Sequence, residues 1–568
     1  MKKLMQWAIA AALICSSTVF TGCSKSDDNQ EPVVKPEQPD DNGANSSSDD
    51  IGYIECSWNG TEVVKTPKVT TARDMSTLSY SSGSVRNTIK ISGFYFISGS
   101  FTTDNYLYVN GWAAIILCDG ADLKVSGIYV NNGGTLIIYA QEKGTGHLYA
   151  ETKYSDDFCP AIGTYVGDGG KVEIHGGNVD AKGGIRSAGI GGGGSDDEHA
   201  NLSDIIIYGG RVYGHSNGGA GIGAGAYDTS VKTNITIYDG LIEGSGGTDV
   251  YKGKFYGVGI GGGHKASFGS VNIYGGTVTA SASDESAGIG AGEEAPNGEG
   301  VVNIYGGTVT AQGGARGAGI GGGDGRRLNE INIHGGEVYA YAGADGAGIG
   351  GGEDGDSGDI NIYGGIVRAY GDRWADGSSN KGYGAGIGSG QNGNVNTIII
   401  KGGDVQAYGG MDAAGIGTGE EYGSDINSGT IEIHGGKVWA EGKGYGAGIG
   451  CGEDATFGVL GISGGRVDAH AGSDCGPWSG GIGAYHKGHG ADDTCQIGWA
   501  GWQRIYIGKG MRLWTYSPNV GYVENVTNNQ RWWNYVHQRP QVAFGECDHP
   551  GYTEATCPFC YRETLQLR

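Results

Sequence analysis

Proline and basic residues are scarce in this sequence of 568 residues. It contains 11 prolines, which excludes a collagen-like triple helix, since that structure needs abundant proline and glycine at every third position. Lysine and arginine number 38 against 62 acidic residues, giving a formal net charge of -24. Such an acidic body repels nucleic acid and anionic lipid. We therefore predict no nucleic-acid partner, and a membrane contact only through a lipid anchor.

Glycine, by contrast, supplies 118 residues. This content excludes repeats built from helices, because glycine is a poor helix former. Isoleucine, valine and tyrosine recur at regular intervals, whereas a disordered glycine-rich tract would lack them. The apolar residues are therefore placed where a repeating core can use them.

The N-terminus has the features of an export signal. Lys2 and Lys3 precede an apolar run that is short for a membrane span, and small residues follow before Cys23. The segment FTGC resembles the lipobox of bacterial lipoproteins, which implies that Cys23 is the acylated first residue of the mature chain. An ordinary cleaved signal is the alternative. The following SKSDDNQ resembles surface-export signals of some Gram-negative lipoproteins, so we expect a protein anchored in the outer membrane and facing the exterior.

A glycine-rich phrase recurs through most of the chain. Successive copies of A-G-I-G, or close variants, lie 29 to 38 residues apart, with isoleucines at Ile190, Ile222, Ile260, Ile289, Ile320, Ile349, Ile387, Ile416, Ile449 and Ile482. Each copy is followed by an I-x-I-Y-G-G pattern and then by V-x-A, as in VNIYGGTVTA at 271–280 and 301–310. Alternating apolar residues in these stretches are typical of strands. Stacked copies predict a parallel β-helix with Gly-Gly corners.

The array, with the leading segment GWAAIILCDGADLKVSGIYVNNGGTLIIYAQEKGTGHLYA at 111–150, resembles bacterial pectin-lyase-like β-helix proteins of the "carbohydrate-binding domain-containing" type. The resemblance covers roughly residues 100–510. It implies an all-β fold, a right-handed parallel β-helix of about ten or more coils. Such solenoids host lyases, hydrolases, adhesins and inert stalks, so the resemblance predicts no single activity. We divide the chain into a signal peptide (1–22), an acylated cysteine and linker (23–50), a cap with first coils (51–160), the repeat β-helix (161–510) and a C-terminal cap (511–568).

Stacked coils turn equivalent outward positions into columns, and two of these columns are rich in aromatic residues. Aromatic rings can pack against sugars while amides bind sugar hydroxyls, which predicts a carbohydrate-binding face. The alternative is that aromatic and amide ladders only support one another. Insertions at 244–257 and 370–384 mix basic and aromatic residues and would suit an anionic polysaccharide. The predicted binding residues are Tyr274, Tyr305, His334, Tyr339, Tyr363, Tyr370, Trp374, Asn303, Asn332 and Asn361.

A third column is acidic and follows each A-G-I-G-x-G. Stacked carboxylates repel unless they extend into water or a hard cation neutralises them. Acids in surface turns are usually solvated, and calcium, which takes several oxygen ligands, is the alternative and the possible cofactor of this column. The column contains Glu293, Asp324, Glu353, Glu420 and Glu453.

Catalytic signals are sparse. The resemblance to pectate-lyase-type enzymes implies a basic residue that removes a sugar proton beside calcium, and Arg368 and Lys401 are the basic residues in the aromatic columns of adjacent coils. No carboxylate pair stands out as a hydrolase site. A serine elbow belongs to a strand-to-helix turn that the repeat does not offer. We predict a non-catalytic polysaccharide-binding protein, with a surface stalk and a calcium-assisted lyase as alternatives.

The C-terminal segment has no repeat character. Cys547, His549, Cys557 and Cys560 follow a C-x-H-x7-C-x2-C pattern with the composition of a structural zinc site. Export through an oxidising compartment favours a disulfide instead. We predict the zinc site, because the CPFC segment and the histidine fit a compact tetrahedral site, with the disulfide as the alternative.

Overall fold

The computed structural model describes most of the chain between residues 48 and 524. The described ranges are 48–78, 88–152, 158–167, 169–194, 202–227, 229, 232–247, 257–372, 382–421, 426–456, 458–472, 481–485, 504–507, 512–517 and 521–524. Within them the secondary structure consists of strands and one short 3-10 helix, Met75–Thr77. No helix in these ranges is long and apolar enough to cross a membrane.

Each repeat forms one coil of three strands, as the sequence pattern predicts. One coil consists of Ile349–Gly350, Asp359–Ile362 and Ile366–Tyr370, which we call its glycine, IxI and VxA strands. Each strand pairs in parallel with its equivalent in the next coil, without a shift in register across most coils. The VxA strands belong to a 15-stranded sheet in the described part of the chain. This pairing confirms the predicted all-β parallel β-helix.

The strands of successive coils fall into these three classes, the glycine, IxI and VxA strands. The glycine strands are Gly127–Tyr129, Ile162–Thr164, Ile190–Gly192, Ala220–Gly223, Val258–Gly262, Ile289–Ala291, Ile320–Gly321, Ile349–Gly350, Ile387–Gly388, Ile416–Gly417, Ile449–Glu453 and Ile482–Tyr485. The IxI strands are Thr135–Ala140, Lys171–Ile174, Asp204–Ile207, Thr233–Ile237, Phe268–Ile273, Val301–Ile304, Glu330–Ile333, Asp359–Ile362, Thr397–Ile400, Thr430–Ile433, Val459–Ile462 and Arg504–Ile507. The sheet of VxA strands comprises Ser100–Thr102, Asp122–Val125, His147–Glu151, Asn178–Ile185, Arg211–Asn217, Leu241–Ser245, Thr277–Ser281, Thr308–Gln312, Glu337–Tyr341, Ile366–Tyr370, Asp404–Tyr408, Lys437–Glu441, Arg466–His470, Arg512–Ser517 and Gly521–Glu524, the last antiparallel.

The N-terminal end differs from the repeats. Ser48–Trp58 and Val63–Asp74 form an antiparallel hairpin. Two longer strands, Thr88–Ile97 and Tyr106–Leu117, then start the solenoid, and the second pairs with the first glycine and IxI strands. The hairpin joins this end through parallel pairing of its second strand with Thr88–Ile97.

The core is a stack of identical apolar layers. In one coil Ile349, Ile360, Ile362, Val367 and Ala369 are all 0% exposed, and equivalent residues in neighbouring coils lie directly above and below them. Burying each isoleucine or valine contributes about 1.5–3 kcal/mol. Because side chains alternate along a strand, the residues between these core positions face outward in continuous columns.

The glycine strands require glycine for a steric reason. Gly350 has a φ of 138°, and a Cβ on it would lie 1.7 Å from the carbonyl oxygen of Gly388 in the next coil. An alanine would therefore be strained and would also collide with the adjacent backbone. This close contact between coils explains why the phrase A-G-I-G recurs.

Candidate functional site

The outward residue after each IxI strand forms a continuous column of stacked rings, which we call the aromatic ladder. Neighbouring ring centroids are 4.6–5.1 Å apart, close to the spacing of strands in a sheet. The ladder contains Tyr139, His175, Tyr208, Tyr238, Tyr274, Tyr305, His334 and Tyr363. Beyond Tyr363, the Nζ atom of Lys401 lies 4.5 Å from the ring centroid.

The N-terminal hairpin covers the first part of the ladder. Tyr53 contacts Tyr139 with ring centroids 4.4 Å apart, and the backbone N–H of Cys56 donates to Nδ1 of His175 at 2.8 Å. Further along the ladder Trp58 lies 4.9 Å from the ring of Tyr238 and 5.3 Å from that of Tyr274. Tyr274, a predicted binding residue, is therefore a packing partner of the hairpin.

The ladder is open beyond the hairpin. Tyr305 is 40% exposed and Tyr363 is 38% exposed, whereas Tyr139 is 5% exposed at the covered end. His334 stacks between these two exposed tyrosines, with interplanar angles of 8° and 4°. Since the ring faces cover one another along this column, a ligand approaching from the side meets ring edges and tyrosine hydroxyl groups.

An amide ladder runs beside the open rings. Asn303 donates to Asn272 at 2.8 Å, Asn332 donates to Asn303 at 3.0 Å and Asn361 donates to Asn332 at 3.1 Å, each from Nδ2 to Oδ1. The Nδ2 group of Asn361 also donates to Glu330 at 3.0 Å, so both amide N–H groups of this residue have acceptors. We define the aromatic–amide patch as Tyr305, His334, Tyr363, Asn303, Asn332 and Asn361.

Burial lowers the pKa of His334 below 6.5, an effect that Glu330 opposes and Lys401 reinforces. The imidazole is therefore neutral at neutral pH. It stacks as an uncharged ring, and no charge within the three ring positions of the patch would attract or repel a ligand. Lys401, exposed at the end of the ladder, is the nearest cation along the column.

Two further predicted residues belong to two other columns, because Tyr339 is level with Arg368 of the next coil whereas Tyr370 is level with Tyr341. Tyr339 and Tyr370 stand on VxA strands, across a Gly-Gly corner from the aromatic ladder. Tyr370 stacks between Tyr341 and Tyr408 at 5.0 and 5.1 Å, while the hydroxyl of Tyr339 donates to Glu337 at 3.3 Å. The predicted aromatic binding residues that the structure describes are thus divided among three parallel columns, that of the aromatic ladder and those of Tyr339 and Tyr370.

The two basic residues of the lyase hypothesis have different surroundings. Arg368 lies on a VxA strand with 17% of its side chain exposed, and its Nη1 donates to the carbonyl oxygens of Val367 and Asp404. The same atom is 3.1 Å from the carboxylate of Asp404. Lys401 instead follows an IxI strand and contacts the aromatic ladder. Arg368 is therefore engaged in contacts with the backbone and with Asp404.

The acidic column carries its own cation in the middle. Arg316 lies 3.2 Å from Asp324, 3.0 Å from Glu353 and 3.8 Å from Glu285. Burial raises the pKa of Glu353 to about 7, although Arg316 opposes that shift. The guanidinium group of Arg316 thus lies between carboxylates and partly neutralises their charge, as a metal ion could also do.

Carboxylates from two coils come together on either side of this arginine. The ligand atoms of Glu285, Glu293 and Asp324 lie within 4.8 Å of one another, as do those of Asp412, Glu420 and Glu453. Both groups are oxygen-rich, as calcium prefers, but Glu285 and Asp324 of the first group already pair with Arg316. Glu285 and Asp412 come from the preceding turn of the coil, which the column pattern alone did not indicate.

The other predicted site residues lie outside the described part of the chain. They are Cys23, Trp374, Cys547, His549, Cys557 and Cys560.

The comparison with protein families agrees with this geometry. Seven segments match the beta helix repeat. They are 172–194, 271–293, 302–324, 331–353, 360–391, 398–420 and 431–453, and each begins in an IxI strand. These matches support a right-handed β-helix, as predicted. No curated protein and no solved structure matches the chain.

Proposed function

We propose that the protein binds a polysaccharide along the aromatic–amide patch and does not cleave it. The observation that carries this proposal is the exposure of Tyr305, His334 and Tyr363 in three consecutive coils, beyond the end of the hairpin. At the covered end, Tyr53 packs against Tyr139 and Trp58 packs against Tyr238. The open rings have no such cover in the described part of the chain.

The geometry favours contacts at ring edges over packing on ring faces. Tyrosine hydroxyls and asparagine amides recur with every coil, so successive sugars would meet equivalent donors and acceptors. Each contact is weak, but a chain held at several coils gains from their simultaneous engagement. Lys401 at the end of the ladder would favour an acidic sugar there.

The anchoring proposal is independent of this surface. Acylation at Cys23 would hold the solenoid at the outer membrane, facing the exterior, where polysaccharides are accessible. Calcium at the two carboxylate groups would stabilise the neighbouring corner, and zinc would be held by Cys547, His549, Cys557 and Cys560.

A structural stalk is the second candidate, and the nearly parallel stacking of the rings favours it. Tyr274, Tyr305, His334 and Tyr363 stack with interplanar angles of 10° or less. Rings that cover one another stabilise the column with or without a ligand. The two candidates differ in whether the open end of the ladder binds a glycan.

Retention on immobilised polysaccharides, with and without calcium, tests the proposal. The protein is the full chain with Cys23→Ser, compared with the double variant Tyr305→Ala and Tyr363→Ala. Losing two ring contacts of about 0.5–1.5 kcal/mol each should weaken binding by about 5- to 150-fold. Tyr238→Ala is the matched control, because it removes a ring of the same ladder that Trp58 covers.

Phenylalanine variants separate the two roles of the rings. Tyr305→Phe with Tyr363→Phe preserves stacking but removes both hydroxyl groups, so the proposal expects weaker binding at unchanged stability. A protein retained on no polysaccharide would identify the ladder as structural. Release of unsaturated sugars from the bound polysaccharide would instead establish a lyase.

A further inference from the structure

A pocket of about 460 Å³ opens on the outward face of the first VxA strands. It lies well away from the aromatic–amide patch, since five rungs separate the coil of His147 from that of Tyr305, or about 24 Å along the axis. Its size falls in the range of small-molecule sites. The lining residues are Gly120, Ala121, Asp122, Lys124, Thr145, His147, Tyr149 and Asp180.

His147 occupies the centre of this lining, between two carboxylates in neighbouring coils. Its Nε2 is 2.8 Å from Oδ2 of Asp180, and its Nδ1 is 3.8 Å from Oδ1 of Asp122. An ionised carboxylate can only accept a hydrogen bond, so the shorter contact requires a proton on Nε2. The other ring nitrogen, Nδ1, is on the side of Asp122. Asp180 thus orients the ring.

Polar atoms of Asp122 and His147 therefore converge at one side of the pocket. Oδ1 of Asp122 is buried and makes no hydrogen bond among the described residues, while the other carboxylate oxygen lies 3.4 Å from Lys124. Buried acceptors without a donor are rare in folded proteins. A molecule with two adjacent hydroxyl groups would supply a donor to Asp122 and a hydrogen-bond partner to Nδ1 of His147.

Tyr149 adds an apolar surface with a fixed orientation. Its hydroxyl donates to Glu151, and Lys182 lies over the ring with Nζ 5.6 Å from the centroid. Lys182 also pairs with Glu151 at 3.7 Å, so these three side chains hold one another in place. An anchored aromatic ring beside hydroxyl acceptors is the combination that recognises a pyranose.

We propose that this pocket binds a single neutral hexose unit, at the end or at a branch of a glycan. Asp122 accepts from one sugar hydroxyl, the Nδ1 atom of His147 bonds to the adjacent one, and Lys124 and Thr145 bind the remaining oxygens. A metal ion fits less well, because Asp122 and His147 are the two ligands on offer and the ammonium group of Lys124 is close to the first. His147 also fills the space between the two carboxylates, where an inverting hydrolase holds its water.

Saturation-transfer NMR on the full chain with Cys23→Ser tests this assignment. The probes are the methyl glycosides of glucose, galactose, mannose and N-acetylglucosamine, measured with and without a metal chelator. We expect transfer to at least one glycoside, and binding at least about fivefold weaker in Asp122→Asn and in Asp180→Asn. Glu243→Gln is the matched control, because this exposed carboxylate stands in the same column two coils beyond Asp180.

A second readout requires no variant. Long-range proton–nitrogen spectra follow the imidazole of His147 directly, and a bound glycoside should shift its Nδ1 resonance.

The ladder variant with Tyr305→Ala and Tyr363→Ala should bind the glycosides normally, which separates this proposal from the one above. Absence of transfer from all four glycosides would refute the assignment. So would equal binding by the Asp180→Asn and Glu243→Gln proteins, an unchanged His147 spectrum, or binding that disappears with the chelator.

Discussion

Gly350→Ala tests the steric argument for the repeating glycine phrase. Gly350 has a φ of 138°, a backbone conformation that residues with a side chain rarely adopt. A Cβ at this position would lie 1.7 Å from the carbonyl oxygen of Gly388 and 2.8 Å from its carbonyl carbon. Because Gly388 belongs to the next coil, the new methyl group would push two coils apart.

The expected destabilisation has two parts. Backbone strain at such a φ costs about 1–3 kcal/mol. Overpacking against a backbone that must move costs about 1–3 kcal/mol more. The sum of about 2–6 kcal/mol exceeds the cost of about 1 kcal/mol that is typical of single substitutions.

Two other glycines separate these parts. Gly325→Ala introduces strain alone, because Gly325 has a φ of 64° and no atom lies within 4 Å of its added Cβ. Gly99→Ala introduces neither strain nor contact. Urea unfolding followed by circular dichroism should rank the midpoints Gly99→Ala, Gly325→Ala and Gly350→Ala in descending order. Equal midpoints for the last two would refute the claim that close contact between coils requires glycine.

Three further substitutions test individual columns. Because burial lowers the pKa of His334 below 6.5, the unfolded chain binds a proton that the folded chain does not, and stability falls as the pH drops from 6.5 through the folded pKa. His334→Tyr should flatten this loss in melting temperature between pH 7 and pH 5, and an unchanged slope would contradict the assignment. Since burial raises the pKa of Glu353 from 4.5 to about 7, the folded chain retains a proton in that window and stability falls as the pH rises through it. Glu353→Gln should therefore melt higher than the wild type at pH 8 and equally at pH 4; a lower melting temperature at pH 8 would show that its ion pair with Arg316 dominates. Asn332→Ala removes two bonds of the amide ladder at an 8% exposed position, so urea unfolding should show a loss of about 1–3 kcal/mol, and a loss below about 0.5 kcal/mol would mean that water replaces the ladder.

The fold was predictable because the same residue types recur at equivalent positions of successive coils. Isoleucine in A-G-I-G and I-x-I marks core positions that are 0% exposed, as Ile349 and Ile360 show, and each recurs once per coil. The aromatic ladder was predictable for the same reason, because the residue after I-x-I faces outward in every coil and successive copies therefore form a column.

Contacts between distant or irregular segments could not be predicted in this way. Trp58 reaches Tyr274 from a hairpin that contains no repeat, so its cover over the ladder has no sequence signature. Arg316 enters the acidic column from a turn whose residue type differs from coil to coil. The pocket around His147 lies where the columns are least regular.

Hydroxyl-radical footprinting with and without a retained polysaccharide tests the central claim most directly, because it reports on each aromatic side chain of the aromatic ladder. Tyr305, His334 and Tyr363 should be protected by the ligand, while Tyr238, already covered by Trp58, should react equally in both samples. Unchanged reactivity at all three open rings while the polysaccharide is bound would contradict the account.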